Sequence, residues 1–161
     1  MSKIIVIHGA MGSGKSTVVS KLTKELPKYI LVDRAYLKDI MLKNVKLENP
    51  ELSKKLSLYA MVLISKGLLK EGYNLILQEI RIDAAKKRLG KKHDYYSFYL
   101  KCSIKEAKKR DRIRQKKYVR PKVVEEMYRR HAYPDKEDII IDTEKNSLKE
   151  TVKIILDSIN K

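Results

Sequence analysis

The chain has 161 residues, 35% of them charged and 43% hydrophobic, with a formal net charge of +17 at pH 7. That length supplies the core of one α/β domain, residues 1–161, and argues against the helical subdomains a motor ATPase adds. The single cysteine, Cys102, excludes an intrachain disulfide and a multi-cysteine zinc site.

The first element, over residues 3–8, is an apolar β-branched run suited to a buried parallel strand. It leads at once into Gly9-Ala10-Met11-Gly12-Ser13-Gly14-Lys15-Ser16, a full match to the phosphate-binding G-x-x-x-x-G-K-[ST] loop. Thr17 follows, and Val18, Val19, Leu22 and Leu26 then recur at helical spacing. Strand, glycine loop and helix in that order predict a nucleoside triphosphate site. The glycines let backbone N–H groups turn inward around phosphate oxygens, and the helix N-terminus adds partial positive charge. Lys15 is expected on the β- and γ-phosphates and the Ser16 hydroxyl on Mg²⁺, with ATP as the nucleotide. The base-reading Asn-Lys-x-Asp of GTPases is absent from the sequence.

Further along, residues 29–32 read as a second strand ending at Asp33, followed by helices over 34–43 and 51–70. Residues 73–78 read as a third strand, 82–89 as a helix stopped by Gly90, and 95–101 as a fourth strand. Basic residues 103–117 read as helical, Pro121 opens another helix to 131, residues 138–141 form the last strand, and Ser147 starts a closing helix. Five strands alternating with helices predict a parallel sheet wound on both faces, the P-loop NTPase architecture. Ligands in such sheets bind at the carboxyl ends of the strands.

That rule selects the candidates. Asp33, expected next to the P-loop, can take the proton of an attacking hydroxyl, although Asp is also a favoured helix N-cap. Arg34 and Lys38 beside it can hold an anionic group on the acceptor. Glu79 is placed to reach Mg²⁺ through water or to orient the acceptor. Gln78, however, stands where a metal-binding strand end would most naturally carry Asp. Arg81, just beyond, is either a substrate-side cation or surface charge. Residues 103–120 carry Arg110 and Arg114, four apart on one helix face, which suits a lid with forked donors for the transferring phosphoryl group. Residues 101–136 hold fourteen Lys and Arg against five Asp and Glu. Such a patch draws phosphate-rich partners, or is a solvated face.

With these residues in place, the chain resembles the small P-loop kinases related to bacteriophage-type polynucleotide 5′-hydroxyl kinase. The likeness rests on Lys109-Arg110-Asp111-Arg112-Ile113-Arg114, followed by Val119, Val124, Met127 and Tyr128. It implies that Arg114 and Arg110 contact ATP phosphates and that Asp33 is the general base. That family has an aromatic and then an arginine shortly after the base. Here Tyr36 is followed by Leu37 and Lys38. The closing part, Ala132-Tyr133-Pro134 through Asp142-Thr143 with Ser147 and Glu150, is similar to adenylylsulfate kinase and chloramphenicol phosphotransferase. That likeness places Asp142 and Thr143 beside the adenine.

The leading expectation is a phosphotransferase that moves the γ-phosphate of ATP to a hydroxyl of a nucleic acid or nucleotide. Two alternatives stand beside it: a small-metabolite or nucleoside monophosphate kinase, and a non-enzymatic nucleotide-binding module with slow ATPase activity. The first strand begins at once, leaving no room for a signal peptide, and no apolar run approaches the ~18 residues of a membrane span. A cytoplasmic protein without membrane contact is expected.

Overall fold

The computed structural model describes residues 1–43, 49–113, 121–131 and 133–160. In chain order these form β1 (Lys3–Gly9), α1 (Lys15–Glu25), β2 (Tyr29–Asp33), α2 (Arg34–Met41), α3 (Pro50–Lys70) and β3 (Asn74–Gln78). Then come α4 (Ile82–Leu89), β4 (Asp94–Lys101), α5 (Ile104–Ile113), α6 (Pro121–His131), β5 (Ile139–Asp142) and α7 (Leu148–Ile159). Arg114, Lys116, Lys117 and Val119 of the expected lid, and Ala132, lie outside the described residues.

All strand pairings are parallel, in the order β2-β3-β1-β4-β5. The β1 side chains Ile4 to Ile7 are fully buried, as an unbroken apolar run between two helical layers requires. On one face Ile5 and Ile7 pack with α1 and α7 through Val18, Leu22 and Ile155. On the other, Ile4 and Val6 meet Met61 of α3 and Ala85 of α4. Each such side chain withdrawn from water contributes about 2 kcal/mol. Asn49 caps α3, its Oδ1 accepting from Glu51 N at 2.9 Å, and Ser147 with Glu150 forms a reciprocal capping box on α7.

One expectation changes. Asp33 does not end the strand next to the P-loop, because β3 lies between β2 and β1. The α1 crossover carries the chain from β1 out to the edge strand β2, and the α2–α3 crossover brings it back so that β3 inserts beside β1. Gln78 pairs with Ile7 and Asp33 with Gln78, so Asp33 stands one strand further out. Among the described residues, no helix is long and apolar enough to cross a membrane.

Candidate active site

The loop between β1 and α1 closes tightly on its surroundings. Gly9 has φ 144°, and a Cβ there would lie 2.3 Å from the Leu100 carbonyl oxygen. Gly12, at φ 78°, would bring a Cβ within 2.8 Å of Ala107 Cα on α5. Neither position admits a side chain, so the loop packs closely on the backbone of β4 at one end and of α5 at the other. Gly14 forms the left-handed N-cap of α1, and Ser16 and Thr17 lie exposed in that helix's first turn. The buried Ser13 hydroxyl has no hydrogen-bond partner among the described residues. An orphaned hydroxyl and a helix N-terminus in one glycine loop fit the phosphates of a nucleotide.

Lys15 is buried and turned back onto its own loop. Its Nζ donates to Gly9 O and Ala10 O, both at 2.9 Å, and lies 3.2 Å from Glu79 Oε1. Glu79 follows β3 with φ 66°, the one non-glycine residue at positive φ among the described residues. Three interactions hold it there. Its N–H donates to Ile7 O at 3.3 Å, its carbonyl accepts from Arg34 Nη1 at 3.3 Å, and its carboxylate meets Lys15. Strained backbone fixed from several sides is a common mark of a functional position.

Gln78 enters the same group, its Nε2 donating to Ser16 Oγ at 3.5 Å. The amide thus touches the hydroxyl expected to ligate Mg²⁺. Its strand-end position beside β1, readable only once the sheet order is known, is the signal for this role. Ser16 and Glu79 are the oxygen donors here that could hold the ion, in keeping with its preference for few protein ligands.

On the outer side, Asp33 is the N-cap of α2, its Oδ1 accepting from Ala35 N at 2.8 Å and Tyr36 N at 3.4 Å. Arg34 spans three segments, reaching Ser57 Oγ at 3.2 Å and Lys54 O at 3.1 Å besides Glu79. Burial pulls its guanidinium below the ordinary value, while nearby Glu79 acts in the opposite sense. Lys38 is exposed on α2. Arg81 points away from this group and forms a bidentate ion pair with Asp135, whose Oδ2 accepts from Nε at 3.1 Å.

Arg110 and Thr143 meet over the loop. Arg110 Nη1 donates to Gly12 O at 3.3 Å and Thr143 Oγ1 at 2.9 Å, and Nη2 donates to Thr143 O at 2.9 Å. Its Nε is taken by Glu106, one helical turn back, at 2.8 Å. That acceptor is legible in the sequence as an i,i+4 pair, a signal the reading of Arg110 as a phosphate ligand passes over. The Thr143 hydroxyl also lies 3.1 Å from Ser13 O. Asp142 Oδ1 accepts from Glu144 N at 3.0 Å and shapes the following turn. Behind them, Tyr128 of α6 reaches Cys102 Sγ at 2.9 Å, and burial pushes the Cys102 thiol up.

This architecture is the P-loop kinase fold. No protein-family model and no curated protein matches the sequence. Solved structures do match. A sugar kinase from Janibacter is 14% identical with a TM-score of 0.73, covering 99% of this chain and 95% of that one. A gluconokinase from Sinorhizobium meliloti is 15% identical with a TM-score of 0.71, over 99% and 91% of the two chains. A chain of the Pnkp1/Rnl/Hen1 RNA repair complex is 19% identical with a TM-score of 0.64, over 78% of this chain but 42% of that larger one. These likenesses are of fold.

Proposed function

We propose that the chain is an ATP-dependent kinase that transfers the γ-phosphate to a hydroxyl of a nucleic acid or nucleotide, with residues 103–120 as its lid. The observation that carries this reading is the convergence of Lys15, Ser16, Gln78 and Glu79 at adjoining strand ends beside the glycine loop. Likeness to sugar kinases and gluconokinase supports phosphoryl transfer at a coarse level. Likeness to a chain of an RNA repair complex, together with the net charge of +17, favours a nucleic-acid or nucleotide acceptor.

In this reading the P-loop amides and Lys15 hold the β- and γ-phosphates. Lys15 must leave Glu79 to do so, which releases that carboxylate for the metal or the acceptor. Ser16 and Glu79 would hold Mg²⁺, which would supply charge neutralisation on the phosphate oxygens. The acceptor oxygen attacks the γ-phosphorus, the bond to the β–γ bridging oxygen breaks, ADP departs, and Asp33 takes the hydroxyl proton. The two amide donors on Asp33 fix the carboxylate's direction. Lys38 and Arg34 face the acceptor's anionic part, while Arg110 and Thr143 shape the nucleotide side together with Asp142 and Arg114.

The test is transfer of labelled γ-phosphate from ATP to 5′-hydroxyl RNA and DNA, mononucleosides, nucleotides and sugars. Labelled polynucleotide or nucleotide is expected. Labelling of sugars alone would overturn the acceptor class, and release of phosphate without any labelled acceptor would overturn the kinase.

A further inference from the structure

His8 carries a ring nitrogen that the fold buries without a hydrogen bond. Its side chain is 8% exposed, and its Nε2 has no hydrogen-bond partner among the described residues. Asp138 Oδ2 lies 2.8 Å away, yet the two atoms lack the alignment of a hydrogen bond. Two donors held about 2.1 Å from one cation, at a right angle, stand about 3 Å apart. A 2.8 Å contact without hydrogen-bond alignment has that spacing. Tyr99 stands edge-on to the imidazole at a centroid distance of 5.4 Å and fixes the ring.

Charge points the same way. The Asp138 side chain is 0% exposed, and among the described residues no lysine or arginine pairs with it. Ser97 Oγ donates to its Oδ1 and Asp135 N to its Oδ2, both at 2.5 Å, which orients the carboxylate without neutralising it. A carboxylate so buried requires a positive partner. Neighbouring Asp135, 6% exposed, already has one in Arg81. His8, Asp135 and Asp138 each offer one ligand atom, all within 4.8 Å of one another. Donors on opposite sides of one ion span about 4.2 Å, so a shift of about half an ångström closes the set. Each carboxylate oxygen keeps a second lone pair for the ion.

We propose that His8, Asp135 and Asp138 bind a divalent cation, Zn²⁺ by preference, which ties β1 to the segment between α6 and β5. One imidazole with two carboxylates suits zinc better than magnesium, which takes oxygen donors. Ser97 and Arg81 stand behind the ligands and hold the two carboxylates in place. His8 directly precedes Gly9, so the ion anchors the strand end from which the glycine loop leaves. None of the three ligands belongs to the group around Lys15 and Ser16, and the site does not depend on the kinase reading.

The full chain, stripped of metal by a chelator and kept free of nucleotide, is titrated with Zn²⁺ in a calorimeter near neutral pH. One ion per chain is expected, with Mg²⁺ binding far more weakly. Zinc at about 100 times its Kd should raise the thermal midpoint by about 5–10 °C. His8→Gln and Asp138→Asn should each abolish both effects. Replacing His93 and His131 by Gln leaves His8 as the one histidine. Its imidazole NMR signals should then shift with one equivalent of Zn²⁺, a readout that needs no ligand variant to fold. A wild type that binds no zinc would overturn the site. So would zinc binding that survives both ligand variants or leaves the His8 signals unmoved. His8 signals that respond to pH and not to zinc would overturn it too, making a proton the charge partner of Asp138.

Discussion

Asp33 shows how one side chain can serve two roles that a single substitution separates. Its Oδ1 caps α2 through two amide N–H groups, and in the proposed reaction the same carboxylate takes the proton of the acceptor hydroxyl. Asparagine caps a helix as well as aspartate does but cannot take a proton. Asp33→Asn is therefore expected to keep its thermal midpoint and its ATP affinity while losing about 10²–10⁴-fold in kcat. Steady-state kinetics beside thermal melts checks this, and full turnover would reduce Asp33 to a cap. Glu79 allows a sharper test because its backbone is strained. At φ 66° a glutamate is held where glycine would rest without cost. Glu79→Gly should hold or raise the unfolding free energy, by up to about 1 kcal/mol, while phosphoryl transfer collapses. Urea denaturation and initial rates measured on one preparation give both numbers. Loss of stability together with activity would mark Glu79 as an ordinary structural residue.

Where the strands and helices lie was legible in the sequence, and how they assemble was not. β1 announces itself because four consecutive side chains are buried on both faces, and α7 because Ser147 and Glu150 write its start. The glycine loop was readable because its residues are consecutive. The order of the strands depends on which crossover skips a place in the sheet, here the one from β1 to β2, which no local periodicity encodes, so Asp33 was expected one strand too close. Gln78 was not legible as the partner of Ser16 for the same reason, since 62 residues separate the two. Arg110 was expected to act on phosphates. In this structure it joins three elements, taking Gly12 O of the loop, Thr143 after β5 and Glu106 of its own helix. Removing a charged donor of this kind costs about 2 kcal/mol, or roughly 30-fold in kcat/KM. Arg110→Ala should therefore raise the KM for ATP as well as lower kcat, because the loop loses its brace. Thr143→Val, which keeps the shape and drops the hydroxyl, should weaken ATP binding in the same direction but by less. A change in kcat alone for Arg110→Ala would mean that the guanidinium leaves the brace and acts on the transferring phosphate.

Over the whole molecule, the question is whether a charge of +17 serves the acceptor or merely coats the surface. Helix α5 offers the clearest place to ask. Lys105, Lys109 and Arg112 are exposed at spacings of four and three, forming one outward stripe, while its inner side packs Ala107 against the glycine loop. If the acceptor is a polynucleotide, each phosphate that the protein neutralises releases counterions, and binding must weaken steeply with salt. Changing all three residues to Ala should then lower the slope of log affinity against log salt by about 2 for a single strand, at roughly 0.7 for each phosphate no longer neutralised. The KM for the oligonucleotide should rise while that for ATP stays nearly level. Lys24, Lys149 and Lys153, exposed on α1 and α7, supply the control, since replacing them removes the same charge from helices that cover the sheet elsewhere. The measurement is oligonucleotide affinity and initial rate at low and moderate salt for wild type and both triple variants. A fall in slope confined to the α5 triple would make that stripe part of the nucleic-acid path. Equal falls for both triples would mean that only the diffuse field attracts the strand. A slope near zero in the wild type would return the acceptor to the small nucleotides, whose few phosphates the strand-end residues can hold without help from the surface.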